Sequence, residues 1–135
     1  MRITNKIIRE IVDQAKKESP LEACGYLGAK DGIITTIFAL TNIDKSSEHF
    51  SFDPKEQFMA AKDARARGLD LSAVYHSHPA SPARPSQEDI KLAYDSAMSY
   101  FIVSLLGGEE DVRAFSIKNG EVAEINLEVV DDQRL

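Results

Sequence analysis

"LSAVYHSHPASPARPSQED", residues 71–89, is the stretch on which the reading of this chain turns. Its opening run, 71–76, is largely apolar and reads as a buried strand leading into His76. Pro79, Pro82 and Pro85 then break regular structure. Ser86, followed three residues later by Asp89, marks a helix start, and the helix is expected to run to about Asp95.

Along an extended backbone residues i and i+2 point the same way, so His76 and His78 present both imidazoles to one point while Ser77 faces elsewhere. Asp89 adds a carboxylate from the first helical turn, at the positive end of the helix dipole. Zinc accepts such N and O donors at about 2.0–2.2 Å, and three protein ligands leave a fourth tetrahedral position open, as catalytic sites do. A hydrolase built this way also needs a carboxylate near the attacking water to move its proton. Two plainer readings stay open from the residues alone. The histidine pair also suits a polar surface loop, and Ser86-x-x-Asp89 suits a helix cap. A carboxylate committed to a metal is expected not to be free to cap.

Working outward, Ile7, Ile8, Ile11, Val12 and Ala15 recur at helical spacing between Thr4, a capping residue, and a stop at Ser19-Pro20. "LEACGYLGA" (21–29) reads as a strand, "KDG" (30–32) as its turn and "IITTIFAL" (33–40) as the partner strand of a hairpin. "HFSF" (49–52) reads as a short third strand. Asp53, Pro54 and Glu56 open a second helix that reaches about Arg67 and ends at Gly68. Downstream, "YFIVSLL" (100–106) reads as a buried strand and Gly107-Gly108 as a turn. "VRAFSI" (112–117) and "EVAEINLEVV" (121–130) read as two closing strands, and "DDQRL" (131–135) is expected to fray. This order predicts an α/β (α+β) sandwich, a mixed, mostly antiparallel sheet flanked by about three helices, in one domain over 1–130.

At 135 residues the chain is long enough to bury a core without disulfides, and its single cysteine, Cys24, excludes an internal one. The net charge of −6 opposes a phosphate backbone, so no nucleic-acid partner is expected. The basic run "KDARARG" (62–68) reads as a solvated helix face. No stretch approaches the length of a membrane span and the N-terminus lacks an apolar signal core, so the cytoplasm is expected and a membrane is not.

The set His76-Ser77-His78-Pro79, six residues, then Ser86-x-x-Asp89, with an upstream "PLEACGYLG" (20–28) carrying Glu22, resembles the signature of the JAMM (MPN-plus) zinc metallopeptidases. The resemblance runs from the first helix to about Ile125. It implies an MPN, cytidine-deaminase-like sandwich and one zinc ion per chain on His76, His78 and Asp89. It also implies Glu22 as the general acid/base and Ser86 as the donor to the developing oxyanion. Ser77 and Pro79 would shape the ligand loop. Without the resemblance, Glu22 stands out only as a carboxylate in a small, apolar run. Cys24, expected to share a strand face with Glu22, reads as a small buried hydrophobe, and His49 as a surface or strand-edge residue.

No departure appears at the five functional positions, unlike the MPN-minus scaffolds. The chain has little room for the insertions of eukaryotic deubiquitinating members. It resembles the compact prokaryotic ones, some of which cleave at the C-terminal tail of ubiquitin-like (β-grasp) sulfur-carrier proteins, so a carrier with a Gly-Gly tail is the implied partner. Two other readings remain open: a non-catalytic, zinc-ordered module for such tails, and a RadC-like role in nucleic-acid metabolism, against which the acidic balance weighs.

Overall fold

The computed structural model describes residues 1–132. Helix α1 (Asn5–Glu18) starts where Thr4 accepts the Ile7 N–H and stops at Ser19. Its apolar stripe of Ile7, Ile11, Val12 and Ala15 is buried. Helix α2 (Pro54–Ala66) is capped by Asp53, which accepts the Lys55 N–H, and Gly68 follows it at φ +67°, a left-handed conformation suited to glycine. Glu56 does not complete a cap. Its carboxylate accepts the Thr41 N–H at 2.7 Å and the Thr41 hydroxyl at 2.9 Å, tying α2 to the end of the preceding strand.

The strands are β1 (Arg2–Thr4), β2 (Cys24–Lys30), β3 (Ile33–Leu40), β4 (Asp70–His78), β5 (Ser99–Ser104), β6 (Asp111–Lys118), β7 (Glu121–Ile125) and β8 (Glu128–Val130). They form one sheet in the order β7-β6-β5-β4-β2-β3-β1-β8. β4–β5, β1–β3 and β1–β8 pair in parallel and the other neighbours antiparallel, the mixed sheet that the element order predicts. β7 and β8 lie at opposite ends of that order, yet only two residues separate them, a reach of at most about 11 Å between their facing ends. The sheet must therefore curl. It closes on α1, whose stripe packs with Leu27, Ile34, Tyr75, Phe101 and Val103 in the main core. Opposite Tyr75, Gly25 is obligatory, because a Cβ there would lie 2.3 Å from the Phe38 carbonyl oxygen. α2 covers the other face through Ala60 and Ala64 against Phe38.

Several expectations need correcting. β1 was not foreseen: three residues are too few to show a period, and they pair only through tertiary contact with β3 and β8. "EVAEINLEVV" is two strands, broken where Asn126 accepts the N-terminal ammonium and Glu128 N–H bonds the Met1 carbonyl. "HFSF" forms only an isolated bridge, Phe52 to Asn42. The helix after Ser86 (α3, Gln87–Lys91) ends four residues short of Asp95, which instead organises a turn by accepting the Ala97 and Met98 N–H groups. β2 begins at Cys24, so Glu22 precedes the strand and shares no strand face with it. Of the expected frayed segment, 131 and 132 are described, with Asp132 accepting the Lys6 N–H, and 133–135 lie outside the described residues. No helix among the described residues is long and apolar enough to cross a membrane.

Candidate metal centre

His76 and His78 lie at the end of β4 itself, and the loop begins only at Pro79. The two-residue strand period turns both rings toward the face opposite α1, and leaves Tyr75 and Ser77 on the α1 side. Both rings are buried, at 3% and 4% exposure. His76 Nε2 and His78 Nε2 are 3.1 Å apart, and Asp89 Oδ2 lies 3.2 Å from the first and 3.1 Å from the second. Three donor atoms thus form a nearly equilateral triangle. A tetrahedral ion bound at about 2.0–2.2 Å would space its ligands about 3.3–3.6 Å apart, so the triangle needs only slight opening to accept one.

The tautomer makes the case sharper. His78 Nδ1 lies 2.8 Å from the Pro82 carbonyl oxygen, which can only accept, so Nδ1 carries the hydrogen and the Nε2 of the neutral ring carries a lone pair. That lone pair faces a carboxylate oxygen. Two acceptors at 3.1 Å require a cation between them, either a proton or a metal ion. The acid–base balance follows from this. For His78, burial works against charge, but the contacts with Asp89 and Pro82 and the charges of Asp89 and Glu22 outweigh it and raise its pKa. For Asp89, burial raises the pKa, and the two histidines with the Ser86 N–H hold it well below the usual carboxylate range.

Asp89 also closes a capping box with Ser86: Oδ2 accepts the Ser86 N–H at 2.9 Å and Ser86 Oγ accepts the Asp89 N–H at 3.0 Å. The cap leaves room for the partly competing ligand reading, because a carboxylate has four lone-pair sites and spends one on the cap. The exposed Ser86 hydroxyl, with one lone pair engaged, keeps its hydrogen free to donate.

Glu22 stands beside this triangle, 3% exposed, and its Oε1 has no hydrogen-bond partner. Burial lifts its pKa to about 8, with His78 pulling it down and Asp89, Glu88 and Glu48 pushing it up. The backbone around it is clamped. Glu22 N–H donates to Ser46 O at 2.8 Å, and Asn42 Nδ2 donates to Glu22 O at 3.1 Å. Ser77 Oγ accepts the Ala23 N–H at 2.7 Å while its own N–H bonds Ala23 O at 2.9 Å, which locks Glu22 to the strand that carries the histidines.

Sequence reasoning missed three contributors. Ser77 was assigned to loop shape, yet it is fully buried and cross-links β4 to Glu22's segment. Asn42 holds the 42–51 loop through Glu22 O, Ser46 O and His49 O, and no pattern in the sequence announces it. Phe50 stacks on His76 at 4.8 Å and 28°. Cys24 is buried and points its thiol at Leu40 O, 3.8 Å away. Burial pushes that thiol up to about 12, so it stays a neutral hydrophobe. His49 is a surface residue, as read, but its Nδ1 lies 2.9 Å from Asp44, which also accepts the Ser51 hydroxyl.

Residues 4–118 match the family model described as prokaryotic homologs of the JAB domain. The chain is 29% identical over 128 residues to the CysO-cysteine peptidase of Mycobacterium tuberculosis, covering 93% of this chain and 88% of that one. It is 33% identical over 107 residues to a probable TtuB-protein conjugate cleaving protease of Thermus thermophilus, covering 78% and 68%. A solution structure of a Desulfitobacterium hafniense protein superposes with a TM-score of 0.88 at 40% identity, covering 97% of this chain and 93% of that one. A family match across most of the chain, on a fold that brings these side chains together, makes this protein a compact prokaryotic member of the JAMM/MPN group.

Proposed function

We propose that this protein is a cytoplasmic zinc metallopeptidase that hydrolyses an amide or isopeptide bond at the C-terminal Gly-Gly tail of a ubiquitin-like sulfur-carrier protein. The observation that carries the reading is the convergence of three lone-pair donors, His76, His78 and Asp89, beside a buried Glu22 whose Oε1 has no partner. The relatives named for cleaving carrier conjugates support the substrate class.

His76, His78 and Asp89 would hold the ion. When bound, zinc polarises the scissile carbonyl and lowers the pKa of water it coordinates to about 7. Glu22 Oε1, its ionised form favoured by a cation held beside it, takes the proton from the attacking water and returns it to the leaving amine, and the burial that raises its pKa lets it hold the proton in between. Ser86 O–H donates to the carbonyl oxygen as negative charge grows there, its oxygen anchored by the Asp89 N–H. Phe50 and the Pro82 carbonyl hold the two rings in place.

The sheet offers a path for the tail. Along β3, β1 pairs with Ile33 and Ile34 alone, which leaves β3 from Thr35 to Leu40 without a strand neighbour on that side among the described residues. An extended tail can add there by backbone pairing, and Leu40 lies in register with Cys24 and, through it, with His76.

The test is metal analysis combined with cleavage of Gly-Gly-ended carriers fused through their last glycine to a reporter. About one zinc per chain is expected, with Glu22→Gln retaining metal and losing cleavage. Full cleavage by Glu22→Gln, or a metal-loaded protein that binds carrier tails and cleaves none, refutes the reading.

A further inference from the structure

Beside His76 lies a half-open pocket of about 450 Å³ that the chemistry above does not use. That volume lies within the range of pockets that enclose small ligands, roughly 300–1,000 Å³. One wall is a run of ring contacts leading away from the metal centre: His76 stacked on Phe50 at 4.8 Å, then tilted pairs from Phe50 to Phe52 at 5.4 Å and from Phe52 to Tyr26 at 5.0 Å. Gln57 Nε2 donates to the Tyr26 hydroxyl at 2.9 Å, and Asn42 fixes the loop that carries both phenylalanines, so this wall is built to stand open and not to collapse. Ile102 and Ile117 form the floor, and Leu92 and Met98 border it on the α3 side.

We propose that this cavity receives a bulky apolar side chain, aromatic or large aliphatic, carried by the released, amine-bearing side of the scissile bond. The inference rests on the function proposed above and names its substrate class. A Gly-Gly tail has no side chain to fill a pocket of this size next to the bond, and the extended tail before it is assigned to β3, so the occupant is assigned to the amine side. The cavity shares His76 and Asp89 with the metal centre, which places its occupant next to the reacting atoms. Its charges narrow the choice further. Glu88, Asp89 and Asp95 border it, no Lys or Arg does among the described residues, and His49 is engaged with Asp44. A free amino acid, with a carboxylate next to the cleaved bond, is disfavoured by these charges. A residue that continues as a peptide or amide is accepted.

The test uses acetylated peptide amides in which Gly-Gly precedes Phe, Leu, Ala or Gly, together with NMR titration of the metal-free protein by phenylalaninamide and glycinamide. Cleavage is expected to favour Phe and Leu over Gly by roughly ten- to hundred-fold in kcat/KM, the worth of burying such a side chain. Leu92→Trp, a substitution at a half-exposed rim position, is expected to shrink that ratio. Phenylalaninamide should shift the Tyr26, Phe50 and Phe52 resonances saturably, and glycinamide should not. Cleavage indifferent to the residue after Gly-Gly, or absence of phenylalaninamide shifts, overturns the inference. Phenylalaninamide binding in a metal-loadable protein that cleaves no conjugate leaves the cavity assignment standing and overturns the peptidase reading instead.

Discussion

Glu22→Gln separates the proton chemistry from the fold through the pH dependence of stability in the metal-free protein. Glu22 is buried, and its folded pKa of about 8 lies above the ordinary carboxyl value of 4.5. The folded state therefore binds the proton more tightly than the unfolded state. Below about pH 4.5 both states are protonated and the group is neutral to stability. Between 4.5 and 8 the unfolded chain releases its proton and the folded chain does not, so stability falls as pH rises, and above 8 the full penalty is in place. At about 1.36 kcal/mol per pH unit the ceiling is on the order of 5 kcal/mol. Glutamine has the same shape and never ionises, so the variant avoids this loss. Denaturant titrations of chelator-treated wild type and Glu22→Gln should coincide within about 1 kcal/mol at pH 5 and diverge by several kcal/mol at pH 8.5, the variant being the more stable. A difference that is independent of pH, or a variant that is less stable at pH 8.5, refutes the claim that Glu22 is a desolvated carboxyl without a partner.

Ser86→Ala removes both the helix cap and the hydroxyl donor, so a stability loss of about 1 kcal/mol by denaturation and a fall in kcat of about 10²-fold with little change in KM are expected. Cys24 should resist iodoacetamide at pH 8 in the folded protein and react once it is unfolded, and Cys24→Ala should keep activity. Asn42→Ala deletes donations to Glu22 O, Ser46 O and His49 O and acceptances from Asp44 and Ser51, which should cost about 2–4 kcal/mol by denaturant melt. Activity should fall with it, because Glu22's carbonyl loses its anchor.

The meeting of His76, His78 and Asp89 was legible in the sequence because its geometry is local. His76 and His78 share a face through the strand period, and Asp89 returns to them through a loop of fixed composition and a helix start marked by Ser86. The long helices were legible for the same reason: α1 has a 3.6-residue stripe, and α2 has Asp53-Pro54 at one end and Gly68 at the other. Features that depend on distant chain segments were not. β1 and β8 exist only because a curled sheet brings residues 2–4 beside 128–130.

Glu22 shows the division most clearly. By itself the sequence determined that residues 76–89 carry two imidazoles and a carboxylate able to meet, since spacing alone points them together. Only the tertiary structure decided which of the chain's other carboxylates joins them. It did so by pairing Ala23 with Ser77, anchoring Glu22 to Asn42 and Ser46, and stripping its carboxyl of water. Desolvation is what turns an ordinary glutamate into a group that titrates near neutrality, and burial belongs to the folded chain as a whole.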